Sequence, residues 1–536
     1  MNKIYKLALF PGLIVCTAVF LIALSACSLL DSNQPQQDDP LVHEAEPVPQ
    51  PLVRAPEYGG IEDDGVLRLS MRHPITLNPL LNEDATVAPI LRLLFEPLVV
   101  LDETLRPTGH LVNMELASDF STATLTIRDD AIWSDGIPVT VDDIIFSVEI
   151  LRRAPDTVIY KRNVENIARV DRVNSRTALV TFQQASVTAS YALSFPIIPE
   201  HYYSGHVNTT SPRNMQPLGN GPYNFASRVP MQSMILEKNP YTFRRTPTIS
   251  VIEVLLIPDA QTKLHAFDQG VIDAIRLPFA EWVKHPSVKP VNHEEFLAMY
   301  FEFIGFNFER GIFRNINARQ AVAHAFNADE AINAEYLHRA VRAASPIHPR
   351  SWMHDNNITG PEYDPARAAV LLRAINIPEP LQILVNTEHI ERVHIANRLA
   401  TGLVTAGHPA IVIALPFDEY YARLQDGEFD LYLGGMKLDF VPDFAFMFQG
   451  GPLFTSDPVL EGLFASLSLA STESAYLQAV SQLQQGIVDR LPIISLGFRH
   501  SAVLTGTRVA QGRMPASDHV FIYVNEWEIV DSQYLP

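Results

Sequence analysis

The residues that could carry chemistry are few, and their spacing mostly defeats it. A zinc helix needs two histidines four apart, with an acid beside the first, so that both rings reach one ion. The stretch His293-Glu294-Glu295-Phe296-Leu297 begins that way, but Leu297 stands where the second histidine belongs. His389 and His394 are five apart, which turns them to different faces of a helix, and His394 reads as a helix-surface residue. His43-Glu44 falls in a polar, proline-rich stretch and reads as solvated linker. General acid–base work needs two carboxyl groups facing one another. Asp129-Asp130 and Asp142-Asp143 are sequence neighbours, and neighbours diverge on a helix. A turn and a helix N-terminus, where acids complement the dipole, account for them. Neither GxxxxGK[ST] nor GxSxG occurs, and there is no complete GxGxxG. The residues therefore give no assembled catalytic set, and no enzyme activity, cofactor or metal site is expected.

One thiol is placed to react. Lys3 and Lys6 precede the uncharged apolar run 7–24, and small residues close it at Leu24-Ser25-Ala26-Cys27. A basic start, an apolar middle and small residues at the end make a secretory signal. The last four residues resemble the bacterial lipobox, in which the chain is cut before the cysteine and its sulfur carries a diacylglycerol. Cys27 is thus the predicted lipidation site and residues 1–26 the signal. An uncleaved membrane anchor is the alternative, because the run is almost long enough to span a bilayer. Cys16 lies inside the signal, so the mature chain holds no second thiol for a disulfide or a metal cage. Its core must hold it together, and the length prior is two or three domains or lobes. Without the two signal lysines, 38 basic residues face 60 acidic ones, a net charge of −22. Such a surface repels phosphate backbones and anionic lipid. Nucleic acid is excluded as a partner, and membrane attachment falls to the lipid. Residues 27–64 read as a tether: 31–64 hold six prolines and many acids, with Arg54 the one basic residue besides His43. Pro-rich chain of that length reaches on the order of 100 Å.

The elements that must position a site begin near Val66. Val66, Leu67 and Leu69 read as a strand, and Thr122–Arg128 alternates as another. Thr140, followed three residues on by Asp143, predicts a capped helix with an apolar face of Ile144, Ile145, Val148 and Leu151. Residues 381–415 give strand, helix and strand at the length of a βαβ unit. Strands alternate with helices throughout, which predicts an α/β protein.

Eight motifs then stand in a fixed order: LFEPLV (94–99), AIWSDGIPVTVDDIIFSVE (131–149), LGNGPYNF (218–225), LEKNPYTF (236–243), DQGVIDAI (268–275), NINARQAVAHAFN (315–327), YDPARAAVLLRA (363–374) and GEFDLYLGGMKLDFVPD (427–443). Together they resemble the family 5 extracellular solute-binding proteins of bacterial ABC importers, the dipeptide- and oligopeptide-binding proteins, over 66–510. The resemblance implies a two-lobed periplasmic-binding-protein-like fold (type II, cluster C) with an extra subdomain in the first lobe. It implies lobe 1 from 65–101, 216–296 and 486–536, the subdomain from 102–215, and lobe 2 from 297–485. The motifs themselves read mainly as structure: Trp133 as a core anchor, Gly219 and Gly221 as a tight backbone path, Arg319 as a cap or internal ion pair. The chain departs from the family at Asn220, where Thr is common.

The resemblance also implies a site. A peptide lies between the lobes, its backbone paired with strand segments that match Phe95-Glu96-Pro97-Leu98 and Gly434-Gly435-Met436-Lys437-Leu438, and its ammonium on a carboxylate that matches Asp439. The expected ligand residues are therefore Phe95, Glu96, Leu98, Gly435, Met436, Lys437, Leu438 and Asp439. Met436 replaces the family's Trp, Lys437 is an unusual neighbouring cation, and Asp443 competes with Asp439. The implied role is capture of peptides by a monomeric, lipid-anchored receptor outside the cytoplasmic membrane, and delivery to an ABC transporter permease. A receptor of the same fold for nickel chelates, glutathione, murein peptides or oligosaccharides, and a peptide-sensing lipoprotein, are the alternatives. The long tether points to a Gram-positive surface, although Ser28 also suits a Gram-negative lipoprotein.

Overall fold

Period-2 burial builds the first half of the fold. β1 (Val66–Met71) buries Leu67, Leu69 and Met71 on one face. Helix α1 (Ala88–Leu94) ends at Phe95, where the backbone turns extended and leads into a hairpin of β2 (Val99–Leu101) and β3 (Pro107–Gly109). β4 (Val112–Leu116), β5 (Thr122–Ile127), β6 (Ile167–Arg172) and β7 (Thr177–Phe182) form an antiparallel sheet in the order β4-β5-β7-β6. β8 (Tyr223–Val229), β9 (Ser233–Lys238) and β10 (Val251–Leu256) join β1 in a second sheet, ordered β1-β10-β9-β8. The computed structural model describes residues 65–278, 290–375, 377, 380–448, 454–510, 512 and 520–530. The expected signal and tether, Cys27 and His43-Glu44 lie outside them.

Local sequence explains how these pieces lock. Helix α2 (Val141–Arg153) starts at the capping box read from Thr140 and Asp143, with the Thr140 N–H donating to Asp143 Oδ2 at 2.8 Å. The buried Trp133 indole donates to the same oxygen at 3.2 Å, so one carboxylate ties the Trp-Ser-Asp-Gly turn to the helix start. Trp133 is the core anchor expected of it. Gly219 and Gly221 pass so close to the Leu94 and Leu93 carbonyls that a Cβ at either position would collide with backbone. The Gly221 N–H donates to Leu94 O at 2.8 Å, fastening this path to the end of α1.

The second half is built on one mixed sheet. β11 (Ala274–Pro278), β12 (Val291–Phe306), β13 (Ala340–Arg342), β14 (Leu381–Asn386), β15 (Ala410–Leu415), β16 (Leu431–Lys437) and β17 (Ile493–Gly506) lie in the order β11-β17-β12-β16-β14-β15, with β13 also on β17. Helix α3 (Ile316–Ala325) packs in the same core. Helix α4 (Ile390–Thr405) connects the parallel strands β14 and β15, the βαβ unit legible in the sequence, and buries Ile395, Ala396, Leu399 and Leu403. Helix α5 (Glu473–Arg490) precedes β17. Arg319 donates from Nε and Nη2 to the Arg490 carbonyl at 3.1 and 2.7 Å and from Nη1 to Phe313 O, so it caps helix ends as expected.

Two long strands join the halves. β12 has 16 residues and β17 has 14, roughly 50 Å of extended chain each. Phe296 of β12 and Val503 of β17 belong to the apolar core of the first half. Ile304 and Phe306 of β12, with Ile494 and Leu496 of β17, belong to the core around α3 and α4. The register between the two strands shifts between Leu297 and Phe301 and again between Glu302 and Phe303, midway between these cores. Among the described residues no helix is long and apolar enough to cross a membrane.

Candidate functional site

The first expected segment follows α1, and the fold has already used its donors. The Phe95 N–H donates to Leu91 O at 2.9 Å, Glu96 N–H to Asn220 Oδ1 at 2.9 Å and Leu98 N–H to Phe195 O at 3.2 Å. Pro97 has no N–H to offer. The side chains of Phe95, Glu96 and Leu98 are all buried. Glu96 accepts from Arg244 Nη1 at 3.2 Å and lies 2.6 Å from His110 Nε2. Burial alone would raise its pKa, but Arg244 and His110 outweigh burial and hold it at about 2. Arg244 in turn donates to Asn525 Oδ1 at 2.8 Å and to the Ile522 carbonyl, tying the C-terminal stretch to this corner.

The second expected segment is the end of β16, and there the sheet leaves an edge open. β12 pairs with β16 along its whole length, from Phe306↔Leu431 to Tyr300↔Lys437. β14 pairs with β16 at Leu431 and Tyr432 only. Among the described residues, Gly434 to Met436 therefore have a ladder partner on one side alone. Gly435 and Met436 are half-buried, Lys437 is exposed and Leu438 is buried, its N–H donating to Met299 O at 2.9 Å. Asp439 follows with an exposed side chain, two residues past the strand end. Asp443 is exposed as well and lies 3.9 Å from Arg162, a loose ion pair with the first half.

Beneath this strand end lies a buried charge cluster that the sequence reading missed. Glu302 on β12, the partner of Gly435, accepts from Arg392 Nε at 2.7 Å and Nη2 at 3.1 Å. Arg392, at the start of α4, also donates to Asn386 Oδ1 at 3.3 Å. Arg499 of β17 lies 3.5 Å from Glu302 and stacks 3.9 Å above the Tyr300 ring. The Tyr300 hydroxyl donates to Gly435 O at 3.3 Å. A Cβ on Gly435 would collide with Arg392 and come within 2.7 Å of Glu302 Oε2, so the ion pair fills the space a side chain would need. Burial and the neighbouring Arg392 and Arg499 hold the His389 imidazole below its ordinary pKa. The signal available in the sequence was Glu302 alone in the apolar run Phe296 to Phe306, a buried acid that must find a cation.

The two segments sit in separate environments. Phe95 and Leu98 belong to the apolar core of the first half, whereas Leu438 and Met436 pack in a third cluster with Met299, Phe301 and Phe444. A groove of about 650 Å³ opens elsewhere, lined by Ser134, Tyr202, Gln216, Leu218, Phe225 and Arg228, and touches none of the expected ligand residues. Among the described residues no cluster of three or more His, Cys, Asp or Glu side chains is placed to hold a metal.

A mixed α/β chain whose apolar cores are joined by two continuous strands has the build of a two-lobed binding protein. Comparison agrees. Residues 106–451, more than half of the chain, match the family model described as bacterial extracellular solute-binding proteins, family 5. The dipeptide-binding protein of Escherichia coli K12 is 21% identical over 385 residues, covering 66% of this chain and 72% of that one. Other curated relatives are matched over 52–57% of their own length, so this chain spans about half of each. An ABC transporter substrate-binding protein of Listeria monocytogenes shares the fold at a TM-score of 0.77, with 18% identity, covering 87% of this chain and 99% of that one. The oligopeptide-binding protein of Bacillus subtilis, solved with a nonapeptide, superposes at a TM-score of 0.63 with 18% identity, covering 87% and 99%. The chain belongs to the family 5 bacterial extracellular solute-binding proteins, a family of binding receptors.

Proposed function

We propose that the mature chain captures short peptides outside the cytoplasmic membrane and hands them to an ABC transporter permease, without chemistry of its own. The observation that carries this reading is that, among the described residues, β14 stops pairing with β16 after Tyr432, which leaves Gly434 to Met436 with one ladder neighbour just before the exposed carboxylate of Asp439. An extended peptide adds to such an edge through main-chain hydrogen bonds, which any sequence supplies. The Glu302–Arg392 pair fills the space that a side chain at Gly435 would need and so backs the strand end on that face. Asp439 then accepts from the peptide ammonium, a charge-assisted bond that fixes polarity and register. Lobe 1 contributes through Phe95 to Leu98. Since the segment is buried and its N–H groups and the Leu98 carbonyl are taken, it acts by backing the wall of lobe 1. The lobes follow the boundaries given above: 65–101, 216–296 and 486–536 against 297–485, with 102–215 as the subdomain.

In this reading Cys27 carries the lipid, residues 27–64 are the tether, and the receptor works as a monomer. Its negative charge keeps it off anionic lipid. The replacement of Trp by Met436 favours one second reading, a non-peptide cargo on the same edge. Native mass spectrometry of the protein as purified separates the two: retained masses that fragment as peptides support peptide capture, and a retained metal chelate or sugar refutes it.

A further inference from the structure

The tip of the β2–β3 hairpin reaches out of the first half and docks on the second, and its construction is that of a separable part. Asp102 Oδ1 accepts from Thr104 N at 2.8 Å, Thr104 Oγ1 at 2.8 Å and Arg106 N at 3.0 Å. Leu105 N donates to Asp102 O at 3.0 Å and Asp102 N to Arg106 O at 2.9 Å. These bonds hold Leu105 at φ 61°, a left-handed conformation that a leucine rarely adopts. The tip's shape is thus set largely by its own hydrogen bonds.

What it touches lies across the molecule. Leu105 is buried in the third apolar cluster together with Val187 and Tyr191, and the remaining fully buried members of that cluster come from 297–498. Trp352 N donates to Thr104 O at 3.0 Å, and Trp352 Nε1 donates to the Tyr191 hydroxyl at 3.0 Å, which itself donates to Leu105 O at 2.6 Å. Arg106 makes a two-pronged pair with Glu473 at the start of α5, at 2.9 and 3.0 Å, and its guanidinium stacks 4.1 Å over Trp352. The Arg106 and Glu473 side chains are 39% and 45% exposed, so water reaches the pair and can replace it at small cost. The hairpin springs from Leu98, whose carbonyl accepts from His110 N and Leu111 N, directly after the Glu96 corner. The strands that join the halves, β12 and β17, are irregular between Leu297 and Phe303, where a hinge needs slack.

We propose that the Asp102–Arg106 finger is a closure latch: it docks on Trp352 and Glu473 when the lobes close, and its strength sets how far the ligand-free protein closes and how long a bound ligand stays. This rests on and deepens the reading above: with a peptide between the lobes, their closing would trap it. A rigid tip, the buried Leu105, Val187 and Tyr191, and one hydrated ion pair give a small contact that forms and breaks as a unit. A permanent interface needs a larger apolar area.

The test uses the mature full chain with Arg106→Gln, Glu473→Gln and the double variant, each checked for folding by circular dichroism. Small-angle scattering without ligand tests the latch by itself and does not depend on what the cargo is. The latch predicts a larger radius of gyration in each variant than in wild type, with the double variant no more open than either single one. Stopped-flow kinetics with a bound peptide then predict dissociation about 3- to 10-fold faster at unchanged association rate. Variants that lose thermal stability yet keep the wild-type radius and off-rate would show a fixed strut and overturn the proposal. Should wild type bind no peptide, the scattering result still decides the latch, and only the peptide reading fails.

Discussion

Glu96→Gln removes one charge from a corner where three chain segments meet. In the folded protein its carboxyl sits at about 2 against an ordinary 4.5, because Arg244 and His110 outweigh its burial. Each pKa unit is worth about 1.4 kcal/mol, so the ionised form contributes roughly 3 kcal/mol. The folded pKa is depressed, so this stability is complete above the unfolded value near 4.5 and disappears as pH falls toward 2. For a unit spanning 60–536, an unfolding entropy of about 2 cal/mol/K per residue makes each kcal/mol worth about 1 °C. Differential scanning calorimetry at pH 7 should therefore place the variant about 3 °C below wild type. At pH 3 the gap should shrink to about 1 °C, because wild type has by then lost most of what the variant lacks. An offset of the same size at both pH values, or none at pH 7, would refute the electrostatic account of this corner.

Three further outcomes follow from the geometry. Asp439→Asn is expected to weaken binding of free-amine peptides at least about tenfold by calorimetry while leaving the thermal midpoint unchanged; a lowered midpoint with intact affinity would make the residue structural. Glu302→Gln leaves the buried Arg392 without its counter-charge and should cost about 3 kcal/mol of stability, partly recovered in Glu302→Gln/Arg392→Met; thermal melts that show no recovery contradict the pairing. Gly435→Ala must push aside that same pair, so a loss of both stability and peptide affinity is expected, and an unaffected affinity would detach β16 from the ligand.

What the sequence revealed, and what it hid, divides by range. Local signals were readable: the Thr140–Asp143 box, the β14-α4-β15 unit and Trp133 as an anchor are each set mainly by nearby residues, whereas Arg319 was legible as a cap although its main partner, the Arg490 carbonyl, lies far along the chain. The Glu302–Arg392–Arg499 cluster was not, because its members come from β12, α4 and β17, and only the fold makes them neighbours. The Phe95 to Leu98 segment could be located, but the capture of its N–H groups depends on Asn220 and Phe195, far along the chain. The β16 segment could likewise be located, whereas its open edge is a matter of where β14 stops pairing. The finger at Leu105 was invisible, since a leucine at positive φ carries no composition signal.

The most direct measurement is calorimetric titration of the mature chain with one short peptide in two forms, free and N-acetylated. The account predicts saturable binding of the free form and at least about tenfold weaker binding of the acetylated one, because the edge of β16 reads main chain and Asp439 reads the ammonium. Equal affinity for both forms, or no heat from a broad pool of free peptides, would contradict it.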